Sequence, residues 1–157
     1  MRVSMKQSIR TFIIFILIPL TVGVLSSIVS GGTKLYSAIS QPALSPPGYI
    51  FPIVWTILYI LMGISSYIIY TSGSPSTTDA LSVYTLQLFF NFFWSILFFK
   101  FSLFFPSFVW LLLLIFLIII MILKFYSINP IAAYLQIPYL LWCLFAAYLN
   151  LMIYILN

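Results

Sequence analysis

The chain has 157 residues, of which 64% are hydrophobic, 20% aromatic and only 4% charged. Soluble domains carry about 25% charged residues; six Lys/Arg and one Asp cannot cover a water-facing surface, so the apolar excess must face lipid. The net charge of +5 is spread over Arg2, Lys6, Arg10, Lys34, Lys100 and Lys124, mostly near the ends of apolar runs, where snorkelling and topology-setting cations belong. No clustered basic face is present, which argues against nucleic-acid binding.

A membrane-spanning helix needs about 20 mainly apolar residues, and five such segments follow in order. The first, 8–29, has three cations, Arg2, Lys6 and Arg10, ahead of its apolar stretch from Thr11; that stretch is long for a secretory signal and no Ala-x-Ala cleavage site comes after it, so it reads as a retained membrane helix. Within it, Gly23 and Ser27 are small residues four apart, marking a close approach of another helix or of a second copy. A polar connection from Ser30 to Pro46-Pro47-Gly48 is the longest loop. The second segment, 46–70, carries Trp55, Tyr59, Met62 and Ser66 on one stripe. A Ser/Gly/Pro/Thr-rich break, with Thr and Asp79 available as helix caps, precedes the third, 80–101. The fourth, 104–126, follows a tight turn bracketed by Lys100 and Pro106. Asn129-Pro130 opens the fifth, 130–155, with proline near the first turn, where its missing N–H costs nothing; Pro138 is expected to kink it.

These runs lack the alternation of a membrane β-barrel, and no internal repeat suggests an inverted-repeat transporter. The expectation is an all-α integral membrane protein: a single domain over 1–157 built as a bundle of five transmembrane helices. An odd number of spans puts the termini on opposite sides. An inside N-terminus places four cations inside and two outside, a modest positive-inside bias, with the long first loop outside.

Polar residues inside such helices are costly and therefore informative. In the third segment Tyr84, Gln87, Asn91, Trp94 and Phe98 share one face. The two amides must meet protein, ligand or water, either as interhelical glue or as the polar lining of a cavity. Trp142, Ala146 and Asn150 form a similar stripe in the fifth segment. Three tryptophan-bearing stripes facing one another would enclose an aromatic-walled cavity with a few hydrogen-bonding groups, suited to a flat, mostly apolar ligand.

Much chemistry is excluded. There is no histidine, and Cys143, the single cysteine, sits in an apolar run, so no metal site or internal disulfide is expected. The one carboxylate, Asp79, lies at a loop, which leaves neither a proton relay nor a general acid–base pair within the membrane. No cofactor is expected, and any enzymatic step would have to draw on the ligand or on light.

The motifs Gln41-Pro42-Ala43-Leu44-Ser45-Pro46-Pro47-Gly48, Pro52 to Tyr59 and Met62-Gly63 resemble the tryptophan-rich sensory protein family, which includes the translocator protein, once called the peripheral-type benzodiazepine receptor. Leu86-Gln87-Leu88, Asn91, Trp94 and Phe98-Phe99 are similar to its third-helix motif, and Pro138 to Trp142, Phe145-Ala146 and Leu149-Asn150 to its fifth. The resemblance covers essentially the whole chain. It implies a five-helix bundle, commonly a homodimer, with a pocket beneath the long first loop that binds protoporphyrin IX or other tetrapyrroles and isoquinoline carboxamide or benzodiazepine-type ligands. The matching ligand positions are Tyr36, Pro46, Trp55, Gln87, Asn91, Trp142 and Ala146. Some bacterial relatives are proposed to degrade protoporphyrin IX in light; Trp55 and Trp142 would be the catalytic tryptophans. A passive carrier and a pure scaffold are the competing functions, and a bacterial plasma membrane is the expected location. The chain departs from the family pattern at Gln41 and Leu44, where the family usually has a lysine and a tryptophan, which removes a counter-charge for porphyrin propionates near the loop. Tyr154 is followed by no cation, so sterol recognition through that weak C-terminal pattern is not expected.

Overall fold

The computed structural model describes residues 5–32 and 34–157; of the N-terminal cations, Arg2 and the side chain of Lys6 lie outside the described set. The helices are α1 (Met5–Ser30), α2 (Ile50–Thr71), α3 (Thr77–Ser95), α4 (Phe104–Ile128), α5 (Pro130–Tyr134) and α6 (Ile137–Leu156), with a short 3₁₀ turn at Leu35–Ser37 and a π-helical turn at Ile96–Lys100. Taking α3 with its π turn, and α5 with α6, five helical stretches among the described residues are long and apolar enough to cross a membrane. Backbone groups in lipid have no water to bond, and uninterrupted helices satisfy them internally.

Local chemistry sets the breaks. α2 starts at Ile50 rather than Pro46 because Pro46-Pro47-Gly48 forms the turn before it, closed by the Ile50 N–H donating to the Pro47 carbonyl at 2.9 Å. α3 starts at Thr77 without a side-chain cap, and Asp79 lies in its first turn, where a negative charge is stabilised by the positive end of the helix dipole. Asp79 also pairs with Lys124 of α4. Asn129 caps α5 through its side-chain oxygen, which accepts from the backbone N–H groups of Ile131 (2.9 Å) and Ala132 (3.3 Å). The expected kink at Pro138 is a full break one turn earlier. Proline has no N–H for the Tyr134 carbonyl and its ring crowds that carbonyl, so the chain turns at Leu135–Gln136 and α6 restarts with Pro138 in its first turn.

α1 docks on α2 through small residues. Pro19 within α1 cannot donate to the Phe15 carbonyl, and Gly63 of α2 packs against that segment. A Cβ added at Gly63 would lie 2.5 Å from Ile16 Cα and 2.7 Å from the Phe15 oxygen. Higher up α1, a Cβ at Gly23 would fall 2.2 Å from the ring of Tyr59. The close approach expected at Gly23 is therefore present and intramolecular. Its companion Ser27 is exposed, and the adjacent Ser26 is the buried contact instead: its hydroxyl donates to the Phe92 carbonyl of α3 at 2.8 Å and meets the Ser95 hydroxyl.

The centre of the bundle is apolar, with Met62, Ile69, Leu114, Ile118, Met121 and Phe125 fully buried. The long loop is held over one end. Asn157 bonds the backbone of Ser40 in both directions, at 2.9 and 3.0 Å. The Tyr148 hydroxyl donates to the Ala43 carbonyl at 3.1 Å, and Gln41 donates to the Tyr36 carbonyl at 2.6 Å.

Candidate functional site

Between α1, α2 and α3 lies a cavity of about 400 Å³, within the range of about 300–1,000 Å³ typical of small-molecule sites. α1 contributes Leu20, Gly23, Val24 and Ser26 to Ile28; α2 contributes Phe51, Pro52, Trp55, Thr56 and Tyr59; α3 and its π turn contribute Asn91, Trp94, Ser95 and Phe99. Each helix supplies a different component. α1 brings small residues that leave the space open, α2 brings aromatic rings at one-turn spacing, and α3 brings an amide and a further indole.

The aromatic wall is internally ordered. Trp55 stacks on Tyr59 with ring centroids 5.5 Å apart and planes at 29°, lies 6.3 Å from Trp94, and meets the edge of Tyr139 at 6.1 Å. Rings held by other rings in offset and edge contacts keep their orientation without a ligand.

Behind the wall runs a chain of buried hydrogen bonds. The Tyr59 hydroxyl donates to Asn91 Oδ1 (2.6 Å), Asn91 Nδ2 donates to the Tyr139 hydroxyl (2.9 Å), and that hydroxyl donates to Gln87 Oε1 (2.8 Å). Gln87 is fully buried, and its Nε2 finds no partner among the described residues. A second cluster fixes the far side: Trp94 Nε1 and the Ser107 hydroxyl both donate to Asn150 Oδ1 (3.1 and 3.0 Å), and Asn150 Nδ2 donates to the Phe104 carbonyl (2.7 Å). Cavity walls and interhelical glue are thus built from the same polar residues.

A second, much smaller cavity of about 20 Å³ lies alongside, lined by Tyr36, Phe51, Trp94, Phe98, Phe99, Ala146, Leu149, Asn150 and Ile153. Of the ligand positions expected from the sequence, Trp55 and Asn91 face the large cavity, and Tyr36 and Ala146 the small one. Gln87 sits behind Asn91 within the hydrogen-bond chain. Trp142 and Pro46 are partly buried and line neither cavity. Trp142 instead packs 5.9 Å from Phe51 and 5.6 Å from Phe145, and its indole N–H has no partner among the described residues.

Sequence reasoning placed Gly23 at a helix contact but not in the cavity wall, and missed Ser26 and Phe99. Ser26 escaped because the small-residue spacing pointed to its neighbour Ser27. Phe99 escaped because its placement depends on the π turn, marked by the Phe101 N–H donating to the Ile96 carbonyl five residues back at 3.2 Å. Phe98-Phe99 as a pair was the available signal.

Comparisons with known proteins identify the family. A model of the TspO/MBR family matches residues 15–156. The tryptophan-rich protein TspO of Archaeoglobus fulgidus is 37% identical over 122 residues, covering 78% of this chain and 79% of the relative. The translocator protein of Sus scrofa is 33% identical over 141 residues, covering 87% and 83%. Protein CrtK of Rhodobacter capsulatus is 27% identical over 155 residues, covering 96% and 95%.

Proposed function

The chain belongs to the TspO/MBR family of membrane proteins, and we propose that it is a membrane receptor for tetrapyrroles such as protoporphyrin IX and for related flat, mostly apolar ligands. The observation that carries this reading is the cavity of about 400 Å³ whose walls combine Trp55, Tyr59 and Trp94 with the single amide of Asn91. Stacked indole and phenol faces recognise a planar π-system, and an amide already tied to Tyr59 and Tyr139 is held in place to orient a polar edge. Isoquinoline carboxamide or benzodiazepine-type compounds, which are flat and carry carbonyl acceptors, would compete for the same walls. The membrane is proposed to be a bacterial plasma membrane, and the protein a homodimer there. The test is a titration of the purified protein with protoporphyrin IX in darkness, following tryptophan fluorescence. Saturable quenching competed away by an isoquinoline carboxamide is the expected result; quenching that rises linearly with ligand would refute the reading.

Two further readings each have a supporting observation. Light-dependent breakdown of the bound ring is favoured by Trp55, which stands in the cavity wall beside Trp94. Loss of porphyrin absorbance under light that is no faster with protein than without it would remove this reading. A passive carrier is favoured by the exposure of the lining residues Val24 and Ile28 on the outside of α1, which brings the cavity to the lipid-facing surface. Flux across sealed vesicles that does not depend on the protein would remove that one.

A further inference from the structure

The ligand positions expected from the sequence are divided between two cavities, and three rings separate them. Phe51, Trp94 and Phe99 each line both the cavity of about 400 Å³ and the one of about 20 Å³. Trp94 is fixed by its bond to Asn150, and Phe99 stands on the π turn with its edge against both Trp94 and Phe98. Phe51 has no polar tether. It is the second residue of α2, directly after the Pro-Pro-Gly turn, and its neighbours are the edges of Tyr36 at 4.9 Å and Trp142 at 5.9 Å.

On the far side of Phe51 lies a donor without an acceptor. Tyr36 is 2% exposed and lines the small cavity, and its hydroxyl finds no partner among the described residues. A buried hydroxyl left unpaired costs free energy, which an incoming acceptor would recover.

We infer that Phe51 is a movable partition whose displacement joins the two cavities and gives the hydrogen-bond-accepting end of a flat ligand access to the Tyr36 hydroxyl. The aromatic body of the ligand stays against Trp55 in the large cavity, while its carbonyl or carboxyl edge passes the position vacated by Phe51. The inference rests on the tetrapyrrole-binding reading and adds to it a residue that sets how large a ligand fits and how fast it seats.

The test follows protoporphyrin IX binding in darkness by stopped-flow and equilibrium tryptophan quenching, in detergent-solubilised wild type, Phe51→Ala, Phe51→Trp and Tyr36→Phe. Removing the partition should raise the association rate about tenfold, and enlarging it should weaken binding about tenfold or more, as expected when a pocket gains or loses several carbon atoms. Tyr36→Phe should weaken equilibrium binding roughly threefold to tenfold, the worth of one neutral hydrogen bond, while leaving the association rate unchanged. If Phe51→Ala does not fold, Phe51→Leu replaces it, with a smaller acceleration expected. Wild-type association rates in the folded small-side-chain variant would overturn the partition, and wild-type affinity in Tyr36→Phe would overturn the donor. Absence of saturable binding in the wild type would overturn the tetrapyrrole reading itself, an outcome distinct from saturable binding that ignores both residues.

Discussion

Asn91 of α3 accepts a 2.6 Å hydrogen bond from the Tyr59 hydroxyl of α2 and passes a 2.9 Å bond on to Tyr139 of α6, so one amide joins three helices and also faces the cavity. Removing it costs both functions at once. Asn91→Ala leaves two buried hydroxyls short of a partner, a loss of about 1–3 kcal/mol. Tyr59→Phe removes one bond and keeps the stacked ring. Thermal unfolding in detergent should therefore show Asn91→Ala clearly less stable than Tyr59→Phe. Equal melting temperatures would mean that the amide is not the junction.

Gly63 sets the seating of α1. A Cβ there meets backbone, at Ile16 Cα and the Phe15 carbonyl, and backbone cannot rotate aside as a side chain can. Gly63→Ala should push α1 outward, destabilise the bundle by about 1–3 kcal/mol as overpacking does, and distort the cavity wall that α1 supplies. A melting temperature at or above wild type, with unchanged ligand affinity, would contradict the packing described here.

Asn150 is expected to act through Trp94, whose indole N–H it holds at 3.1 Å. Asn150→Leu unpairs the Trp94 indole N–H and takes one partner each from the Ser107 hydroxyl and the Phe104 carbonyl, which keep their own 2.9 Å bond to each other. The loss should be about 1–3 kcal/mol, accompanied by a red-shifted or broadened Trp94 emission as the ring loses its fixed position. Measuring that emission in a variant with the other three tryptophans changed to phenylalanine isolates the signal. An unaltered spectrum would show that Trp94 is held by packing alone.

How much of this was legible in the sequence follows from what lipid does to the hydrophobic signal. In water, apolar periodicity tells the inside face of a helix from the outside. In a bilayer both faces are apolar, and only polar, small and aromatic residues distinguish them. Tyr84, Gln87, Asn91, Trp94 and Phe98 could therefore be read as one buried face, and all five are buried. The number of spanning helices was legible from length and apolarity alone.

The side of the bundle that opens was not legible. Trp55 and Trp142 have the same standing in the sequence, yet Trp55 faces the large cavity, whereas Trp142 packs behind Phe51 and Phe145. The break at Leu135–Gln136 precedes Trp142 and turns it relative to an unbroken helix running on from Pro130. Ser26 rather than Ser27 meets α3 for a comparable reason, since the small-residue pattern gives a spacing but not which neighbour it faces. Gln41, a departure from the family motif, is used locally as a clamp on the Tyr36 carbonyl, a role no charge-based comparison would reveal.

The central claim is that the cavity between α1, α2 and α3 is where a flat ligand binds, and its most direct test is a comparison of two single substitutions. Trp55→Phe and Trp142→Phe are each titrated with protoporphyrin IX in darkness, following the fluorescence of the remaining tryptophans. Trp55 lines the cavity and Trp142 does not, so the expected result is a clear loss of affinity in Trp55→Phe and a smaller one in Trp142→Phe. Binding that survives in Trp55→Phe but is lost in Trp142→Phe would place the ligand elsewhere in the bundle and contradict the claim.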